Sequence, residues 1–119
     1  PSLETAVVRA TIDETFELAP GQVAATADGT LFVTFREIES DSRCPVDVTC
    51  VWAGNAEARI GTAPAGGPWT SYVLNTTLEP QEVTVGSYTV ELVSVEPQNR
   101  QNVTIRPADY RIILRISRP

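Results

Sequence analysis

A chain of 119 residues with a net charge of −6 is long enough for one domain with its own core, and it contains no run near the ~20 apolar residues of a membrane-spanning helix. All nine basic residues are arginine, and histidine, lysine and methionine are absent. These absences remove the bases of the familiar serine and cysteine triads and the imidazole and thioether ligands of zinc, copper and haem sites.

The charge is uneven along the chain. Residues 100–119 hold five arginines against Asp109 alone, a local excess of +4 on an acidic chain. Such asymmetry suits docking to an acidic protein or to anionic head groups. It is too thin a cluster for the phosphate backbone of a nucleic acid. The chain opens on Pro1, and a leader, either a secretion signal or a lipid-anchored segment, is expected ahead of it.

Taken in order, residues 1–5 read as a loose lead-in and Ala6–Ile12 as a first strand. Phe16-Glu-Leu18 alternates and meets the turn pair Pro20-Gly21. Gln22–Thr26 runs extended into Asp28-Gly29, a strong hairpin signal. Leu31, Val33 and Phe35 then share one face. Trp52, Gly54, Ala56, Ala58 and Ile60 form another period-two set, which makes Trp52 the expected plug of the core. Thr62–Pro68 reads as an exposed loop, and Trp69–Asn75 and Glu82–Val85 as strands. Gly86-Ser87 makes a second hairpin turn into Tyr88, Val90 and Leu92. Val93 and Val95 change face, which predicts a bulge near residue 93. Gln98–Asn102 is a polar loop. The last strand, Tyr110–Ile116, turns Ile112, Leu114 and Ile116 inward and Arg111 and Arg115 outward. The pattern predicts a single all-β domain over residues 1–119, an immunoglobulin-like antiparallel sandwich of seven to nine strands. Tyr110, after Pro107-Ala-Asp, is expected in the core as a tyrosine corner bonded to nearby backbone, or as an ordinary strand-start tyrosine.

Cys44 and Cys50 enclose five residues. No histidine or further cysteine completes a metal site, and the spacing is not the Cys-x-x-Cys of redox motifs. A structural disulfide in an oxidising compartment is the leading expectation, closing a knuckle around Pro45 in which Asp41 and Arg43 bond the loop's own backbone. The run Leu18-Ala-Pro-Gly21, Asp28-Gly29, Phe35 and the block Asp41-Ser-Arg-Cys-Pro…Cys50-Val-Trp-Ala-Gly54 resembles a group of small secreted or lipid-anchored bacterial proteins of no settled activity. The resemblance spans about residues 16–60. It implies a β-rich domain in a periplasmic or cell-surface setting.

Four acidic residues, Glu37, Glu39, Asp41 and Asp47, flank the knuckle. They read as a solvated face that guards a strand edge, or as oxygen ligands for calcium. Arg106, Arg111, Arg115 and Arg118 are candidates for a basic docking stripe. Trp69 is a candidate binding anchor or a residue buried under its loop. The sequons at Asn75 and Asn102 read as chance polar positions. No catalytic residue and no cofactor is expected. The expected function is a non-enzymatic extracytoplasmic interaction domain, such as an accessory subunit of a membrane-associated assembly with a protein partner. The alternative is a carbohydrate- or calcium-binding module using Trp69, Tyr72 or the acidic face.

Overall fold

Period-two alternation places every second side chain on one face, so each such stretch can bury one face and wet the other. In the computed structural model, which describes residues 7–118, this produces nine strands among the described residues. They are β1 (Val8–Ala10), β2 (Thr15–Leu18), β3 (Val23–Thr26), β4 (Leu31–Asp41), β5 (Ala56–Pro64), β6 (Thr70–Asn75), β7 (Glu82–Val85), β8 (Tyr88–Glu96) and β9 (Arg111–Ser117). A single 3-10 turn, Pro107–Asp109, precedes β9. The expected lead-in at residues 1–5, and Ala6, lie outside the described residues.

The strands form a two-sheet sandwich, one sheet in the order β1-β3-β4-β5-β6 and the other β2-β9-β8-β7. Every pairing is antiparallel except β1 with β3, which is parallel. Consecutive strands β3 to β6 and β7 to β9 lie side by side, and β2 closes the second sheet against β9. An immunoglobulin domain instead interleaves its strands, pairing B with E and C with F. The sandwich architecture is as expected, and its strand order is that of successive hairpins.

The core lies between the sheets. Leu31, Val33 and Phe35 of β4 meet Ile112, Leu114 and Ile116 of β9 in one cluster of buried side chains. Burying each such aliphatic side chain stabilises by about 1.5–3 kcal/mol, so truncating Leu114 to alanine is a change of about 2–5 kcal/mol. Ala56 and Ala58 are fully buried, as the small inward set requires.

The local turn signals hold. Gly29 sits at φ +70° after Asp28, the left-handed conformation for which an Asp-Gly pair is suited, and its N–H closes on the Thr26 carbonyl. The register of β8 against β9 slips between Leu92 and Ser94, leaving Val93 exposed and Val95 buried. This is the bulge expected near residue 93.

One boundary differs. The expected loop at Thr62–Pro68 is strand as far as Pro64, with Thr62 and Ala63 buried. The reason is that β4 is 11 residues long and offers Leu31 and Phe32 as ladder partners to Pro64 and Ala63.

Candidate functional site

At one end of the sandwich the β4–β5 loop (42–55), the β6–β7 loop (76–81) and the β8–β9 loop (97–110) come together. The first of these carries the Cys44–Cys50 disulfide, which is formed, with its Cα atoms 6.0 Å apart. Its two stems run antiparallel just beyond the sheet. Ser42 N–H donates to the Asn55 carbonyl at 2.7 Å, and Cys44 N–H to the Ala53 carbonyl at 3.1 Å. Gly54 makes that approach possible. It lies at φ +73°, and a Cβ built there would sit 1.9 Å from the Ser42 carbonyl oxygen.

A polar network fixes the loop to the opposite sheet. Arg43 forks onto Asp41, Nε to Oδ1 at 2.8 Å and Nη2 to Oδ2 at 2.7 Å. The same guanidinium donates to the carbonyls of Val95 at 2.6 Å and Pro97 at 3.0 Å. Tyr110 Oη donates to Asp41 Oδ2 at 2.8 Å, and Asn99 Nδ2 donates to Asp41 Oδ1 and to the Arg43 carbonyl. Asn99 also accepts the Val46 N–H on its own carbonyl, and Asp47 accepts the Gln101 N–H.

The Asp41 and Arg43 side chains are only 10% and 14% exposed, so solvent screens this pair weakly. Burial pushes the Asp41 carboxyl up, but the bonds from Arg43 and Tyr110 outweigh it and hold it down at about 2. Burial, followed by the bond to Asp41, pushes the Tyr110 phenol up to about 12. The bond to Asp41 likewise raises Arg43.

A second buried hinge joins the β6–β7 loop to the first. Asn55 Nδ2 donates to Asn75 Oδ1 at 2.9 Å, and Asn55 Oδ1 accepts the N–H groups of Thr77 and Leu78. Asn75 passes its own amide to the Pro80 carbonyl. Among the described residues no buried side-chain polar atom lacks a partner.

These two hinges put Trp52 and Leu78 beside one another at the surface. They line a shallow open cleft of about 320 Å³ with Ala53, Gly54 and Thr77. Trp52 is 75% exposed, Val51 92% and Leu78 59%. The expectation that Trp52 plugs the core is therefore corrected. The strand begins at Ala56, and the left-handed Gly54 turns the chain, so parity counted back from Ile60 does not reach Trp52. Tyr110 does pack partly against the core, but its phenol reaches Asp41, 69 residues earlier, and not neighbouring backbone. The expectation that Asp41 and Arg43 serve the loop's own backbone holds for one bond, Arg43 N–H to Asp41. Their principal role is cross-sheet.

The remaining candidate residues are dispersed. Glu39 pairs with Arg59, which lowers the glutamate; Asp41 is committed to Arg43 and Tyr110; Asp47 accepts from Gln101. Two slips in the β4–β5 register interrupt the common face on which Glu37, Glu39 and Asp41 were expected. Among the described residues no three carboxylates or other metal-ligating side chains gather, so the calcium set is not assembled.

The arginine stripe is neutralised in place. Arg106 pairs with Asp109, Arg111 with Glu17 at 4.0 Å and Arg115 with Glu91 at 3.0 Å. Arg118 lies over the Tyr88 ring, 3.9 Å from Asp28. Trp69 is 45% exposed at the start of β6, away from the Trp52 cleft, and Tyr72 packs partly into the core.

Sequence reasoning missed Asn55, Asn99 and Leu78. Leu78 was visible only as the lone apolar residue of Thr-Thr-Leu-Glu-Pro. It also missed a cluster at the opposite end, where Tyr88 Oη and the hydroxyls of Thr26 and Thr30 donate to Asp28. Those bonds, with Thr26 the largest contributor, hold Asp28 well below the usual carboxylate range. The open cleft beside it, about 490 Å³, is lined by Leu31, Pro64 and Val85. Asp28, Thr30 and Tyr88 on its wall are bonded to one another. Among the described residues no helix is long and apolar enough to cross a membrane. No protein-family model, curated protein or solved structure matches the chain.

Proposed function

We propose that this domain is a non-enzymatic interaction module that presents the Trp52 end of its sandwich to a protein partner. The observation that carries the reading is a largely exposed tryptophan on a loop held by a disulfide, a bidentate ion pair and two buried asparagines. Tryptophan is a favoured interface anchor, and an anchor fixed before binding loses little conformational entropy on association. Val51 and Leu78 beside it supply apolar contact area, and the partner's matching feature is an apolar side chain or turn that enters the cleft. Hydrogen bonds from Thr26, Arg59 and Arg43 hold the carboxyls of Asp28, Glu39 and Asp41 below the usual range, away from the near-neutral values that general acid–base work needs.

The disulfide supports an oxidising, extracytoplasmic setting. Together with the Asp41–Gly54 block it supports a periplasmic or cell-surface location in a bacterium, as an accessory subunit of a membrane-associated assembly. The test is a photo-reactive residue at position 51, with Thr84 on β7 as the control position, in cells that make the protein natively. The expected result is one discrete adduct from position 51, competed by purified domain and not by the Trp52→Ser form. Equal labelling from both positions, or no adduct, would count against the reading.

A further inference from the structure

We infer that β6 is an edge on which two copies of this chain pair as antiparallel strands, a self-association independent of the Trp52 end. Among the described residues four strands form the sheet edges, and three are guarded in the usual way, by shortness and by charge. β1 has three residues and carries Arg9; β2 has four and carries Glu17; β7 has four and carries Glu82. β6 has six residues, Thr-Ser-Tyr-Val-Leu-Asn, with no charge, proline or glycine. Its composition favours strand pairing.

The backbone hydrogen bonds identify which groups are available. Thr76 N–H points inward to the Ala56 carbonyl of β5, whereas Asn75 N–H points outward to the Pro80 carbonyl. Antiparallel strands alternate in this respect. Thr70, Tyr72 and Leu74 therefore spend their groups on β5, while Ser71 and Val73 turn theirs to the edge.

Pro80 already occupies the outward position at Asn75, which confines pairing to the other half of the strand and centres it on Ser71. A two-fold axis there sets Ser71 against Ser71 of the second copy, each exchanging both backbone bonds with the other. It also sets Val73 against Trp69, twice by symmetry, as an aromatic–β-branched cross-strand pair. That pairing gives the half-exposed Trp69 an apolar neighbour. An uncharged edge matters for a chain of net charge −6, because two copies carry the same net charge. The nearest charge is Arg59, which donates to Ser71 Oγ at 2.9 Å and is neutralised by Glu39.

The test is a charge swap at the axis, read by sedimentation equilibrium over a concentration series. Wild type is expected to pass from monomer to dimer mass. Ser71→Lys and Ser71→Glu, each bringing like charges together, are expected to remain monomeric, and their equimolar mixture to regain dimer mass. Circular dichroism of each variant reports its fold. Ser71→Cys adds a measurement that needs no disruption: residues of a hydrogen-bonded antiparallel pair have Cα atoms about 5.5 Å apart, within disulfide reach. Oxidation is therefore expected to give a 71–71 cross-linked dimer with Cys44–Cys50 intact. A wild-type chain that stays monomeric at its solubility limit, single variants that still dimerise, or a Ser71→Cys chain that does not cross-link would overturn the proposal.

Discussion

Replacing Tyr110 by phenylalanine tests the network that fixes the knuckle, because it deletes one O–H donor and keeps the ring. The bond lost is 2.8 Å long, runs to an ionised carboxylate and is only partly solvated. Hydrogen bonds to charged groups contribute about 1.5–3 kcal/mol. Asp41 keeps Arg43 and Asn99, so the lower end applies, about 1.5 kcal/mol, or roughly 6 °C in Tm for a chain of this size. The pH dependence follows from Asp41. Its folded value of about 2 lies below the ordinary 3.8, so its ionised form contributes stability that is fully present above pH 3.8 and is lost as pH falls through about 2. At one pKa unit per ~1.36 kcal/mol, the depression from 3.8 to about 2 in a side chain only 10% exposed contributes about 2 kcal/mol. Scanning calorimetry of wild type and variant at pH 6 and at pH 2 measures both effects. The difference between them is expected to fall by roughly half at pH 2, where half of Asp41 is neutral and a neutral acceptor bond is weaker. An unchanged Tm at pH 6, or a difference that does not vary with pH, would refute the assignment.

Other outcomes follow from the same geometry. Gly54→Ala combines a left-handed backbone with a Cβ 1.9 Å from the Ser42 carbonyl, and urea unfolding is expected to show a loss of at least about 2 kcal/mol. Cys44→Ser with Cys50→Ser removes a short-loop cross-link, a loss of about 2 kcal/mol, with far-ultraviolet dichroism unchanged because the core does not include either sulfur. Trp52→Ser is expected to shift stability by less than about 0.5 kcal/mol, since the indole is solvated. A loss near the ~3–5 kcal/mol of a buried aromatic truncation would restore Trp52 to the core.

Strand positions and turns were legible because they are local. The alternations around Leu31–Phe35, Tyr88–Leu92 and Ile112–Ile116, the Asp28-Gly29 turn and the bulge at Val93 each depend on a few neighbouring residues. The failures have two sources, a local backbone conformation and contacts of long range. Parity was extended through Gly54 to Trp52, although a single residue at positive φ is enough to reset which face the next side chain takes. The outward direction of Arg111 and Arg115 was correct, yet their partners Glu17 and Glu91 come from β2 and β8, and no local pattern gives that register. Tyr110 looked like a motif closed on its own corner, but its phenol reaches a carboxylate on the other sheet.

The same limit explains the candidate site. The Asp41–Gly54 block drew attention through its unusual composition, and it does organise one end of the fold. What composition did not convey is that Asp41 and Arg43 turn inward as fasteners while Val51 and Trp52 face out. Asn55 and Asn99, ordinary in sequence, supply much of the fastening because they bridge segments that only the tertiary fold brings together.

The central claim is that a rigid knuckle offers Trp52 and Leu78 to a protein partner. Its most direct test is the affinity of the Trp52→Ser, Leu78→Ser double variant for the partner captured at position 51, measured by calorimetry beside its Tm. Binding weakened by at least roughly 30-fold, about 2 kcal/mol, with Tm unchanged, is expected. Binding that stays at the wild-type level while Tm falls would contradict it, since the two side chains would then belong to the fold and not to the interface.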